Sequence, residues 1–119
     1  MAMTAEEMLE QARATVHEKS VAEIKAQPDS VLFDVRESDE WEEGHIEGAV
    51  HLPRGFLEFF ADPRSPNSKP EVTAHRAEQV VVYCGSGRRS LLAAKTLQEL
   101  GYSDVVSLKG GYKAWKAEE

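Results

Sequence analysis

The one cysteine of the chain, Cys84, follows the run Gln79-Val80-Val81-Val82-Tyr83 and precedes Gly85-Ser86-Gly87-Arg88-Arg89-Ser90. A continuous β-branched run predicts a buried strand over 79–83. Residues 90–100 predict a helix that can bury Leu91, Leu92, Ala94, Leu97 and Leu100, with Gly101 placed for a left-handed C-terminal cap. A thiol between such a strand and such a helix faces a ring of backbone N–H groups and the positive end of a helix dipole. Both favour the thiolate, the form in which cysteine is a nucleophile. Gly85 and Gly87 permit the backbone of a tight anion-binding nest, and Arg88 and Arg89 can neutralise an incoming anion. The same donors would hold a terminal persulfide anion, so the loop suits sulfur transfer as well as simple thiolate activation. An isolated cysteine is often only a small apolar core residue. The Gly-Ser-Gly-Arg-Arg-Ser that follows Cys84 argues for chemistry instead.

The elements that must position this loop alternate between strand and helix. Thr4 with Glu7 and Ser20 with Glu23 have capping-box spacing, predicting a short N-terminal helix carrying Met8, Leu9 and Ala12 and a second helix over 21–26 that stops before Gln27-Pro28. A short edge strand is expected at 15–17. Residues 31–35 read as a strand buried on both faces, 38–43 as a brief helix ending at Gly44, and 48–52 as another strand closed by Pro53. Phe56, Leu57, Phe59 and Phe60 form an apolar helical turn expected to face the core, although one of them could line an apolar rim at the site. Residues 61–69 read as an exposed loop, and 105–108 as a last strand that Gly110-Gly111 turns into a terminal helix with Tyr112 and Trp115. The expected architecture is α/β: a doubly wound, mainly parallel five-stranded sheet with helices on both faces. Ligand sites in such sheets lie beyond the carboxyl ends of the strands, where Cys84 falls.

Composition narrows the function. The 119 residues suit one core, read as an N-terminal helical extension over 1–13 and a domain over 14–119. A net charge of -7 argues against nucleic acid and anionic membrane surfaces as partners. No basic leader precedes an apolar run, and no stretch nears the roughly 18 apolar residues of a bilayer span. With a single thiol, a reducing, cytoplasmic setting is expected.

The remaining chemistry-bearing side chains read as structural. Asp34 closes a buried strand and needs a partner such as Arg36. His45 and His51 sit beside turns, where imidazoles bond backbone carbonyls, and Trp41 and Trp115 read as packing residues. His17, His45, His51, His75 and Cys84 show no ligand spacing, so neither a metal nor any other cofactor is expected.

Cys84-Gly85-Ser86-Gly87-Arg88-Arg89-Ser90 resembles the active-site loop of the rhodanese family. Asp34-Val35-Arg36, Glu40-Trp41 and Gly44-His45-Ile46-Glu47-Gly48-Ala49 through Leu52-Pro53 resemble its first signature, and Leu108-Lys109-Gly110-Gly111-Tyr112 with Trp115 its last. Three motifs in order, spanning about residues 14 to 117, make the resemblance specific. It implies a sulfurtransferase in which Cys84 takes a sulfane sulfur from thiosulfate or a related persulfide donor and passes it to a thiol, cyanide or a protein sulfur acceptor. Cys84 would be the nucleophile, and the backbone from Gly85 through Ser86, Gly87, Arg88 and Arg89 to Ser90 would cradle the sulfur. Arg88 and Arg89 become candidates for the donor's anionic oxygens, Arg89 ahead of Arg88 because it ends the six-residue loop.

Two other readings remain open at this stage. A rhodanese-like module could sense sulfur or bind a partner protein without turnover, since fold alone does not determine activity. A cysteine-dependent phosphatase or arsenate reductase needs a longer loop with arginine six positions after the cysteine, where this chain has Ser90. A monomer is expected, with the role of the N-terminal helix open.

Overall fold

The computed structural model describes residues 2–119. Five strands, β1 (His17–Lys19), β2 (Val31–Asp34), β3 (Val50–His51), β4 (Gln79–Tyr83) and β5 (Asp104–Leu108), form one sheet of order β1-β5-β4-β2-β3 in which every pairing is parallel. The central β4 lies between β5 and β2, with Val82 beside Ser107 and Tyr83 beside Asp34.

Alternation along the strands divides the core. Val80, Val82 and Cys84 face one layer with Phe33, Val35 and Val105, covered by Leu9 and Ala12 of α1 (Ala5–Thr15) and by Leu91, Ala94 and Leu97 of α6 (Arg88–Glu99). Leu57 of α4 (Leu57–Ala61) and Val72 of α5 (Pro70–Thr73) complete that layer. Val81, Tyr83, Leu32 and Leu108 face the other layer, with Val21 and Ile24 of α2 (Val21–Lys25) and Ile46, against which Tyr112 and Trp115 of α7 (Gly111–Ala117) pack. Burial of some two dozen apolar side chains, with each fully buried Val, Leu, Ile or Phe contributing roughly 1.5–3 kcal/mol before chain entropy is counted and the small alanines less, holds these layers to the sheet.

Local chemistry explains both the agreements and the differences. The two capping boxes are present: Thr4 and Glu7, like Ser20 and Glu23, exchange side-chain and backbone bonds at the starts of α1 and α2. The first strand lies at 17–19 rather than 15–17, because α1 continues to Thr15 and Val16 serves as its C-cap. The helix α3 (Ser38–Glu43) ends at Gly44 as expected. The unanticipated α5 starts on Pro70, whose missing N–H costs nothing in a first helical turn. The phenylalanines divide. Phe60 packs against the core beside the fully buried Leu57, but Phe56 and Phe59 are each 56% exposed, so the core expectation fails for those two. They lie on the short 3-10 turn (Arg54–Phe56) and α4, whose core-facing side carries Leu57, Phe60 and Ala61. No helix among the described residues is long and apolar enough to cross a membrane.

Candidate active site

The loop over 84–87 leaves β4 at the carboxyl edge of the sheet and enters α6 through Gly87, whose φ of 104° lies in the left-handed region that glycine occupies without strain. Gly87 therefore caps α6 two residues earlier than the sequence suggested, placing Arg88 and Arg89 in the first helical turn. This tight entry turns main-chain N–H groups back on the sulfur. Gly87 N–H donates to Cys84 Sγ at 3.0 Å and Ser90 N–H donates at 3.3 Å. The Ser90 hydroxyl lies 3.5 Å from the same sulfur and 2.8 Å from the Ser107 hydroxyl on β5. Cys84, Ser90 and Ser107 are all fully buried, so these bonds operate where water does not compete. The N–H groups of Gly85 and Ser86 have no hydrogen-bond partner among the described residues, and Ser86 is exposed at the tip of the loop.

A second element holds the loop from behind. Tyr112 N–H donates to the Cys84 carbonyl at 2.7 Å and Lys113 N–H to the Gly85 carbonyl at 3.0 Å, so the first turn of α7 uses its free donors to fix the cysteine's backbone. Gly111 makes the approach possible. Its φ is +61°, and a Cβ there would stand 2.5 Å from the Cys84 oxygen and 2.7 Å from the Gly85 carbonyl carbon.

The two arginines are placed at the loop but are turned to carboxylates. Arg89 makes a bidentate pair with Glu40 of α3, at 2.8 and 3.0 Å, and its guanidinium lies over Gly85, where an added Cβ would meet Nη2 at 3.0 Å. Hydrogen bonding to Arg89 holds the Glu40 carboxyl down from 4.5 to about 2, and Glu40 in return raises the Arg89 guanidinium. Arg88 is exposed and pairs with Glu6 of α1. An anion arriving at either guanidinium would share it with a carboxylate already in place.

Asp34 and Arg36 are the buried ion pair expected of them. Asp34 is fully buried, Arg36 is 5% exposed, and the guanidinium donates to both carboxylate oxygens and to the Gly44 carbonyl. His51 Nε2 lies 2.9 Å from the Arg36 carbonyl and His45 Nδ1 2.9 Å from that of Trp41, while both imidazoles stack on the half-buried Trp41 ring. None of these side chains hydrogen-bonds the sulfur. Among the described residues no group of three or more His, Cys, Asp or Glu could hold a metal ion.

Glu40, Ser107 and Gly111 are the site residues that sequence reasoning missed as such. Glu40 and Gly111 were visible within motifs, but nothing in the spacing said that one would take Arg89 and the other would touch the cysteine's backbone. Ser107 carried a weak signal, a lone hydroxyl inside the otherwise apolar Val105-Val106-Ser107-Leu108.

A doubly wound parallel sheet with a thiol seated in a main-chain nest at the end of its central strand defines a class of cysteine-centred α/β domains. Within that class the chain belongs to the rhodanese-like domain family, whose pattern matches residues 17–118. It is 37% identical over 95 residues to thiosulfate sulfurtransferase GlpE of Coxiella burnetii, covering 80% of this chain and 79% of that protein. It is also 34% identical over 84 residues to a putative sulfur carrier protein of Bacillus subtilis, YrkF, covering 71% of this chain but only 40% of that protein's length. Among solved structures, a Rhodopseudomonas palustris protein of unknown function, described as a possible tyrosine phosphatase, superposes with a TM-score of 0.88 at 34% identity over 99% of this chain and 92% of its own. A human single-domain sulfurtransferase superposes with a TM-score of 0.73 at 28% identity over 86% of this chain and 96% of its own. The segment that forms α1 lies outside the family match and inside the overlap with the Rhodopseudomonas protein.

Proposed function

We propose that this protein is a thiosulfate sulfurtransferase-like enzyme that carries sulfane sulfur as a persulfide on Cys84. The observation that carries this reading is the sulfur's environment: Sγ receives two main-chain N–H bonds at the start of a 12-residue helix and faces no carboxylate or imidazole that hydrogen-bonds it. In the first half-reaction the Cys84 thiolate attacks the outer sulfur of thiosulfate, forming Cys–S–S⁻ and expelling sulfite with the electron pair of the broken S–S bond. In the second, cyanide or an acceptor thiolate attacks the terminal sulfur, and the Cys84 thiolate leaves. Neither half needs a general acid, a metal or another cofactor; each needs donors that hold a sulfur-centred anion. The unpartnered N–H groups of Gly85 and Ser86 support a role in holding the transferred atom.

Main chain, rather than the arginine side chains, is the principal anion cradle in this reading, because Arg88 and Arg89 are already paired. The same fact argues against phosphoryl transfer, which needs room for a tetrahedral anion and a free guanidinium to clasp it. The lone thiol suits a reducing compartment, and we place the protein in the cytoplasm as a monomer acting on small sulfur anions and thiol or protein acceptors.

The test is intact-protein mass spectrometry after thiosulfate and then cyanide, on the native chain and on Cys84→Ala, with thiocyanate turnover in parallel. The expected result is one added sulfur atom that cyanide removes with turnover, and none on Cys84→Ala. A native protein that gains no sulfur from thiosulfate and makes no thiocyanate overturns the proposal. Hydrolysis of a phosphotyrosine substrate by the native protein, lost in Cys84→Ala, would replace it.

A further inference from the structure

Ser107 is the penultimate residue of β5, among Val105, Val106 and Leu108, and is fully buried. It shares its sheet face with Val105, under the layer formed by α6, where a valine or alanine would fill the same space without a polar group to satisfy. A buried hydroxyl is destabilising unless it is hydrogen-bonded. The Ser107 side chain has one partner among the described residues, the Ser90 hydroxyl at 2.8 Å, and Ser90 is itself fully buried. Ser90 in turn reaches Cys84 Sγ at 3.5 Å. Three buried groups, from the residue after β4, from α6 and from β5, thus form a chain, Ser107 Oγ to Ser90 Oγ to Cys84 Sγ, with the reacting atom at one end.

The chain has two directions. With Cys84 as a thiol, Sγ–H donates to Ser90, whose proton can turn to Ser107. With Cys84 as a thiolate, Ser90 must donate to sulfur, and its oxygen is then best satisfied by a proton from Ser107. Donation from Ser107 polarises the Ser90 hydroxyl and strengthens the bond it gives to the anion. We infer that Ser107 is a positioning residue for the sulfur chemistry, orienting the Ser90 hydroxyl as a donor to the anionic sulfur of Cys84. The inference rests on the sulfurtransferase reading for its consequence, but the geometry bears on the thiolate itself. As the only cysteine, Cys84 can be followed by its ultraviolet thiolate absorbance without turnover.

The experiment compares Ser107→Thr with Ser107→Val, which have the same shape and differ by the hydroxyl. Each is titrated by thiolate absorbance against a Cys84→Ser blank, alongside thermal unfolding and sulfur loading from thiosulfate. Below the midpoint of the titration, Ser107→Val should hold roughly two- to tenfold less thiolate than Ser107→Thr, the worth of one hydrogen bond. Ser107→Ala should show the same loss relative to the native protein, and that loss should vanish when Ser90→Ala is already present, since Ser107 acts through Ser90. Equal titrations for Thr and Val, or for Ala and the native protein if added methyls prevent folding, overturn the inference and leave Ser107 a matter of packing. An undiminished Ser107→Ala effect in the Ser90→Ala background overturns the relay. Native protein that titrates as expected yet takes no sulfur refutes the functional reading without touching this one.

Discussion

The turns that leave β2 and β4 start side by side, since Asp34 and Tyr83 are register partners, yet they solve the burial of a polar group in opposite ways. After β2 a full negative charge meets a full positive one. The Asp34 carboxylate takes four hydrogen bonds from Arg36, counting its backbone N–H, and the guanidinium also reaches the Gly44 carbonyl. After β4 the sulfur meets only neutral groups: it accepts from two main-chain N–H groups and, as a thiol, donates to the Ser90 hydroxyl. The first arrangement is saturated, and a change of charge in it would be ruinous. The second holds no fixed counter-charge on the sulfur, and this is the arrangement that the proposed persulfide chemistry needs, because dipoles supply part of a compensating charge whatever state the sulfur is in.

The most forceful way to break this comparison is to remove one partner from each turn. Asp34→Ala leaves Arg36 buried and unpaired, and should lower stability by about 3–5 kcal/mol, read as a shift in the urea unfolding midpoint. Cys84→Ala strands no charge but leaves two buried N–H donors without their acceptor, and should lower stability by the smaller amount of about 1–3 kcal/mol. Equal midpoints for the two variants would mean that the Asp34 turn is no more a structural closure than the cysteine loop.

Gly111→Ala probes the cysteine turn through its backbone. The positive φ costs an alanine about 1–2 kcal/mol, and its Cβ would press on the Cys84 and Gly85 carbonyls, so α7 must withdraw and the donors from Gly87 and Ser90 lose their aim. Sulfur loading from thiosulfate should fall by roughly a hundredfold, as misplacements near 1 Å do at reacting centres, while stability falls by about 2 kcal/mol. Loading that drops only in proportion to the folded fraction would show that the nest tolerates movement of its rear support.

The parts of this molecule that were legible in the sequence are those set by neighbours in the chain. The β-branched run before Cys84 could only be a buried strand, the capping boxes named two helix starts, and Gly44 named a helix end. The site was legible as far as the loop reaches. Cys84 closes its strand as expected and Gly87 takes the left-handed backbone expected of both loop glycines, while Gly85 does not; the N–H groups of Gly87 and Ser90 reach the sulfur. The partners that come from afar were not legible. Glu40 lies 49 residues from Arg89, Ser107 lies 17 from Ser90, and Gly111 approaches the loop from a different helix. Which carboxylate an arginine meets depends on how two layers are placed around the sheet, and no local propensity encodes that. Phe56 and Phe59 mislead for the same reason: their spacing is apolar and helical, but the short segment they occupy turns Leu57, Phe60 and Ala61 to the core instead.

The smallest expected effect sharpens the comparison where the two turns share a charge device, the ion pair. Arg89 and Glu40 repeat at the loop's surface what Arg36 and Asp34 do in the interior, with side chains 42% and 33% exposed instead of 6% and 0%. Solvent screening should therefore reduce the worth of the outer pair to about 1 kcal/mol or less. Its sign with pH follows from Glu40, whose carboxyl is held from 4.5 down to about 2 in the folded protein. Between those values the unfolded chain binds a proton that the folded chain refuses, so the contribution is fully present above about 4.5 and disappears as pH falls through 2. Glu40→Gln removes this dependence. Unfolding midpoints of the native protein and Glu40→Gln should differ by a constant small amount above pH 5 and converge on acidification. The variant also frees the Arg89 guanidinium beside Gly85, so thiosulfate loading at neutral pH should hold steady or rise by a few-fold, the direction expected when main chain cradles the sulfur and Glu40 restrains the cation. A loss of loading approaching that of Gly111→Ala would instead make the Arg89–Glu40 pair part of the site's framework, and the outer turn would then resemble the inner one.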